Sequence, residues 1–591
     1  MVGTYASLAM IIAASAAAGQ GLFAVCGRRE WSWLSPAVGL AILAGVAWGA
    51  ANLGGDSGWA LAAMAVVAAA GLATWAAGPE RGAPRLGIGA AVLAAAILLA
   101  SLPFAVEGRM GILGTSLNPD MSQHLFAADR LASGGEERLI AEGYPLGPHA
   151  VVVAVSALGP SLVEAFSGLT LAIAVAASLV SLELLGRLRP IRRALAALLV
   201  GFAYMASSYL IQGAFKETLQ ALFVLAFAIG LHALAAGTLG GRAPAVRWRL
   251  LAALPLAALA AGSIYTYSFP GLTWLAGALG IWALVELGTR GDIAVLRNAL
   301  APAAVAGGVL VVAVAPELGR IADFASFETF DPDGAGFGNL FPGHPISPAE
   351  ALGIWPSGDF RLEAGAGAAP SIAFWLGGLL GFAALAFGLR WWLARGERAV
   401  PAALAVAAGL YLYALIAGTP YQEAKAIAIA APLAMLISAR ALLEATPPIS
   451  ELRGASTTAL ALPTLALAFC LPAAACGALA LANGPVGPTE WGPGLIELRE
   501  SGDLGPGGED GDDTLVLATE ELLVGEHGED LVLWELRGGN VCADALGAEV
   551  PDAIENVVAY EGGVAFLDRV EARPGPHCPF IADGDRAQPS G

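Results

Sequence analysis

The sequence predicts an all-α polytopic membrane protein with a small extracytoplasmic α/β domain at its C-terminus. Three observations predict it. Of 591 residues, 57% are hydrophobic and only 13% charged, with a mean hydropathy of +0.69, against roughly 25% charged in a soluble domain. Apolar stretches of about 20 residues recur along most of the chain, each long enough to cross a hydrocarbon layer about 30 Å thick. The acidity is local: residues 484–591 hold 23 acidic and 5 basic side chains, a charge of −18 out of −19 for the whole chain.

The apolar stretches are helices, because lipid offers backbone amides no other partner. About fourteen spans are expected, over 3–25, 32–53, 58–78, 87–106, 161–185, 194–212, 217–236, 250–268, 271–288, 298–315, 371–389, 399–417, 425–443 and 457–483. No Lys or Arg precedes the first stretch, and Arg28 and Arg29 follow it. That polarity suits a spanning helix with an outside N-terminus, not a cleaved signal peptide. Arg81, Arg85, Arg187 to Arg193, Arg242 to Arg249, Arg290, Arg297, Arg390 to Arg398, Arg440 and Arg453 fall in or beside alternate short loops. The positive-inside rule assigns those loops to the cytoplasm. An even number of spans then leaves both termini extracytoplasmic. The long segments 107–160, 316–370 and everything after 484 are outside, and long ordered loops carry function. Three parts follow: N-terminal spans in 1–86, a core in 87–483 and the acidic domain in 484–591.

In the acidic domain, SGDLGPGGEDGDD at 501–513 reads as a flexible linker, and TLVLATE, LVLWELR, VVAY and VAFLDRV as short strands. Cys542 and Cys578 both lie there, where an oxidising exterior allows a disulfide that spacing alone does not establish. No pair among Cys26, Cys470, Cys476, Cys542 and Cys578 has zinc-ligand spacing.

Ionisable residues that spans do not need mark the candidate site. Asp120 follows Asn118-Pro119 in the first outer loop, with His124 four residues on and on the same face of a helix. A carboxylate at the water boundary can take a proton from an attacking hydroxyl, and it can equally be a helix cap. The chain has only two lysines, Lys216 and Lys425, each at the outer end of a span beside an acid, Glu217 or Glu423. A compact cation at headgroup level suits a lipid phosphate, and snorkelling is the alternative. His149 and His344 also lie in outer loops, with Asp331, Asp333 and Asp359. With Asp120 and His124 they offer ligands that could hold a divalent metal, though no fixed-spacing motif supports one and no cofactor is established by the sequence. SIYTYSFPGL, with Tyr265, Tyr267 and Phe269, sits at an outer interface, as an aromatic belt or a sugar-stacking surface.

The order of these features resembles the GT-C superfamily of polyprenyl-phosphate-dependent glycosyltransferases, over roughly 87–445. In that family an Asp early in the first outer loop heads an amphipathic helix, as Asp120 does, and a Tyr-Pro turn follows, as Tyr144-Pro145 does. A second interfacial helix and an inward span come next. TPYQEAKAIAIAAPL is similar to a Tyr-x-x-x-Lys stretch opening a late span in several members, with Tyr421 and Lys425 as the matching residues. One departure is that four spans, not one, precede the outer loop. The resemblance implies inverting transfer of a sugar from a polyprenyl-phosphate donor to a cell-envelope glycan, glycolipid or protein. Asp120 would be the general base. His124, Tyr144, His149, Lys216, Glu217, Tyr265, Tyr421, Glu423 and Lys425 would contact the substrates. The partners expected are donor, acceptor and membrane lipid, not nucleic acid. A secondary transporter competes, but ion-coupled carriers place ionisable groups near the midplane, where these spans have almost none. A non-enzymatic assembly protein presenting the acidic tail competes as well.

Overall fold

The computed structural model describes residues 1–52, 57–77, 86–108, 110–113, 120–133, 138–240, 250–290, 293–325, 346–360, 364–365, 369–447 and 457–482, and short strands between 514 and 569. Among the described residues, eleven helices are long and apolar enough to cross a membrane, or up to twelve if one bent pair counts as a span. The chain is therefore an all-α multi-pass protein with fewer spans than the fourteen expected.

Local chemistry explains the difference. Where one span was expected over 87–106, the chain forms α4 (Leu86–Ala100) and a short α5 (Leu102–Glu107), broken at Ser101. Pro103 in the first turn of α5 supplies no amide proton to continue the helix. Fifteen residues rise only about 22 Å, too little to cross. The expected span 194–212 divides into α10 (Pro190–Gly201) and α11 (Tyr204–Ile211), which meet at 52°.

The two spans expected over 250–268 and 271–288 form one continuous element, α13 (Leu254–Arg290), with non-helical backbone at Ser268, φ 53 and ψ −154. There the element folds back on itself. The Gln220 side chain donates to the Gly271 carbonyl at 3.0 Å and accepts from the Ser263 hydroxyl at 2.7 Å. Eight residues of straight helix would hold Ser263 and Gly271 about 12 Å apart.

The α/β domain expected after 484 is not supported. The described residues there are only short strands, Thr514–Leu517 against Val532–Arg537 and Asn540–Ala545, and Asn556–Val557 against Leu567–Arg569. The β-prone runs are separated by Gly, Pro and Asp, which favour turns over helices.

Three helices form the centre of the bundle. These are α9 (Leu162–Ser181), α12 (Phe215–Ala235) and α18 (Pro420–Ala445), whose side chains are almost all buried. Helices α1 (Val2–Val25), α2 (Ser35–Asn52) and α3 (Ser57–Ala76) pack as a group, with α1 against α9 and α2 against α13. The periphery comprises α3, α14 (Ile293–Val314), α16 (Ser371–Ala394) and α19 (Thr457–Ala482). Trp59, Val312, Trp375, Phe382 and Leu467 on these helices are exposed, as lipid-facing side chains are in a membrane bundle.

The two ends of the bundle carry different ions. At one end Arg28 pairs with Glu183 at 2.6 Å, Arg398 with Glu286 at 3.2 Å and Arg440 with Glu444 at 3.0 Å. Arg192 donates to the Leu443 carbonyl, capping the last turn of α18. At the other end α1 and α9 begin together, with the Met1 amino group 3.4 Å from Glu164. Helices α12 and α18 also begin at that end, bringing both lysines with them.

Candidate functional site

Each side chain at the lysine end is placed by a helix start or a turn. The first turn of α12 carries Lys216 and Glu217. It follows a tight turn at Gly213, whose φ of 66 favours glycine and whose backbone lies against the Leu113 carbonyl. The first turn of α18 carries Tyr421, Glu423 and Lys425, started by Pro420 and capped by the Thr419 hydroxyl, which accepts from the Gln422 amide. The tip of α13 carries Tyr265 and Tyr267. Helix α6 (Asp120–Ser133) carries His124, helix α8 (Gly147–Ser156) carries His149, and Tyr144 stands in the turn between α7 (Arg138–Ala141) and α8.

Two groups of side chains meet there. In the first, Lys425 Nζ lies 3.1 Å from Glu217 Oε1, 3.8 Å from the centre of the Tyr421 ring and 5.8 Å from that of Tyr267. The Tyr267 hydroxyl donates to the same Glu217 oxygen at 3.4 Å. In the second, Lys216 Nζ sits 4.2 Å over the Tyr144 ring, whose centre is 5.7 Å from that of His124. His149 Nε2 is 3.0 Å from His124 Nδ1. The groups join through adjacent residues, Lys216 and Glu217. Among the described side chains the two groups hold two ammonium groups and one carboxylate, and aromatic faces hold both ammonium groups. That combination suits an anion with several oxygens, a phosphate above all.

The remaining candidates fall elsewhere. Glu423 turns from Lys425 and accepts from the Ile346 amide at 3.0 Å, while Tyr411 donates to the Ile346 carbonyl at 2.7 Å. These bonds fasten the outer segment to α17 (Ala399–Ala417) and α18. The Tyr265 hydroxyl donates to the Ala313 carbonyl at 2.7 Å, tying α13 to α14. His149 is wholly buried, behind His124. Asp120 begins α6 one turn before His124, but its side chain lies outside the described residues, as do His344, Asp331, Asp333 and Cys578 and the side chain of Cys542. Asp359 is buried near Glu350. Among the described residues no three His, Cys, Asp or Glu side chains are grouped to hold a metal ion.

No protein-family model matches the chain, and no curated protein matches it.

Sequence reasoning missed two residues near the site. Arg320, on α15 (Leu318–Phe324), donates to the Ile140 and Tyr144 carbonyls at 2.7 Å each and stacks over Trp48 at 4.7 Å. Glu317, which accepts from the Trp48 indole, pairs with the same guanidinium at 3.6 Å. The available signal was an arginine away from the alternate basic loops. The second is Glu350, in a 3₁₀ turn at Pro348–Leu352, buried with one carboxylate oxygen unpartnered. Burial, with Asp359 nearby, holds its carboxyl well above the usual 4.5.

Proposed function

We propose that the chain is an inverting glycosyltransferase that moves a sugar from a polyprenyl-phosphate donor to an acceptor at the extracytoplasmic face of a membrane. The observation carrying this proposal is that the chain's only two lysines flank one buried carboxylate at the bundle end opposite the paired arginines Arg28, Arg398 and Arg440. The positive-inside rule puts the arginine end in the cytoplasm and the lysine end outside.

A polyprenyl tail stays in hydrocarbon while its sugar reaches water, so the chemistry belongs at this boundary. The base is Asp120, which begins the helix that presents His124 beneath Tyr144 and Lys216. Its carboxylate takes the proton of an acceptor hydroxyl as that oxygen attacks the anomeric carbon. The bond from that carbon to the phosphate oxygen breaks on the opposite face, which inverts the centre. Lys216 and Lys425 stabilise the phosphate as it departs with the electron pair. A phosphate leaves as a stable anion, so no second carboxyl is needed, unlike in a glycosidase.

The test is incubation of the purified protein in nanodiscs with a panel of polyprenyl-phosphate sugars, measuring released polyprenyl phosphate. Release is expected from at least one donor, and Asp120→Asn is expected to slow it about 10²-fold or more. Full activity in that variant, or no release from any donor, overturns the proposal.

A further inference from the structure

Helices α16 and α17 are consecutive and joined by a short turn, yet both pack on α18 and barely touch each other. At the outer end the segment 346–354 is wedged between them. On one side Tyr411 of α17 donates to the Ile346 carbonyl at 2.7 Å. On the other, Gly381 and Gly377 of α16 lie so close to Leu352 and Ile354 that a Cβ at either glycine would meet them at 2.7 Å. Below this wedge the hairpin leaves a furrow of about 490 Å³, within the range of about 300–1,000 Å³ that ligand sites occupy. Leu389 and Leu393 of α16 line one wall, Ala405 and Ala408 of α17 the other, and Ala430 and Ala434 of α18 the floor. Leu393, Ala405 and Ala408 are exposed, so the furrow opens sideways to lipid.

The two ends of the furrow differ. The outer end is shut by Pro348, Ala351 and Leu352 of the 3₁₀ turn. The other end carries arginines: Arg398 lines it, Arg390 follows Leu389, and Arg395 stands two residues after Leu393. The carboxylates nearby are already held, Glu286 by Arg398 at 3.2 Å and Glu397 and Glu444 by Arg440. Arg390 and Arg395 are exposed, and neither pairs with a carboxylate among the described residues. The Arg395 guanidinium rests on the Trp391 ring at 3.7 Å, at the level where a bilayer meets water. From Arg398 to Tyr411, both on its lining, α17 rises about 20 Å. That exceeds the depth of one leaflet, half of a hydrocarbon layer about 30 Å thick.

We infer that this furrow is a binding site for an anionic phospholipid of the leaflet at the end that carries Arg398 and Arg440. One acyl chain lies between α16 and α17 with its tip under the wedge, and the phosphate sits at Arg390 and Arg395, whose planar guanidinium groups match its oxygens. A neutral lipid would fill the furrow equally well but leave both cations unmatched. A polyprenyl-phosphate donor does not fit, because its phosphate belongs at the lysine end, where the 3₁₀ turn closes the furrow. The inference therefore does not rest on the proposed transfer reaction.

The experiment is native mass spectrometry of the whole protein in detergent, titrated with dioleoyl phosphatidylglycerol or, as the neutral control with the same chains, dioleoyl phosphatidylcholine. The wild type is expected to hold one phosphatidylglycerol about tenfold or more tighter than phosphatidylcholine, since each arginine near a membrane surface contributes about fivefold. Arg390→Gln combined with Arg395→Gln should bring the two lipids close to parity. Ala405→Phe combined with Ala408→Phe, which fills the furrow from its exposed rim, should abolish the tight site for both lipids. All four positions are exposed, so lipid-free melting temperatures should stay within about 2 °C of wild type. Equal affinity for the two lipids in the wild type overturns the inference, and so does a tight phosphatidylglycerol site that survives the two phenylalanines. Displacement of phosphatidylglycerol from the wild type, one for one, by undecaprenyl phosphate would assign the furrow to a polyprenyl chain and overturn it as well.

Discussion

The two lysines hold unlike positions, and their substitutions should separate. Lys425 is mostly buried and neutralises a carboxylate that is 4% exposed. Removing one member of a buried pair costs about 3–5 kcal/mol, because the other charge stays buried alone. Lys425→Ala is therefore expected to lower both thermal stability in detergent and donor binding. Lys216 rests on a tyrosine face, an interaction of about 0.5–2 kcal/mol. Lys216→Ala should lose donor binding with a much smaller change in melting temperature. Equal melting losses in the two variants would contradict this ranking. Glu350 supplies a pH dependence. Its carboxyl sits above the usual 4.5 in the folded chain, so folding favours the protonated form. The stability from this group is present below 4.5 and is lost as pH rises towards the folded value. Between pH 5 and 8 the wild type should lose stability on this account, and Glu350→Gln should flatten the profile. A variant as pH-sensitive as the wild type would exclude this origin.

Elements at the lysine end are held by contacts that reach across the bundle. Arg320 joins α15 to the turn carrying Tyr144 through two carbonyls, with α2 supplying Trp48 beneath it. Hydrogen bonds from a charged donor contribute about 1.5–3 kcal/mol each. Arg320→Ala is expected to destabilise the fold by about 2–4 kcal/mol and to speed amide exchange in 138–146 more than in α9. Arg320→Lys should rescue little, since a point charge cannot reproduce the two-pronged contact. Uniform exchange across the bundle in the alanine variant would show that the guanidinium does not act on the turn. The reversal at Ser268 belongs to this scale too. It turns α13 back at the lysine end, so Tyr267 meets the site while Tyr265 ties α13 to α14.

For the whole molecule, the described helices pack around α9, α12 and α18. A chain ending at residue 483 is expected to insert, to keep its melting temperature within about 2 °C, since surface changes far from the core move stability little, and to keep donor binding. Loss of function together with the tail, in a truncated chain that still folds, would favour the assembly-protein alternative. A transporter would instead move solute across vesicles with no lipid-linked donor present. The described ionisable side chains lie at the two bundle ends, which suits chemistry at the membrane boundary better than ion coupling at the midplane.

The sequence by itself determined the membrane-spanning class and the grouping of most candidate residues at one end. Those are properties of composition and of helix length, which a continuous apolar run states directly. It overcounted the spans, because hydropathy does not register the break at Ser101 or the bend between α10 and α11. It inferred an α/β tail from β-prone runs alone, where the described residues are short strands. Only the tertiary structure decided that Glu217 pairs with Lys425, that Glu423 binds backbone, that His149 backs His124, and that Arg320 clamps a carbonyl 176 positions away. Partners so distant in the chain leave no local period to read, and their bonds exist only once the helices have packed.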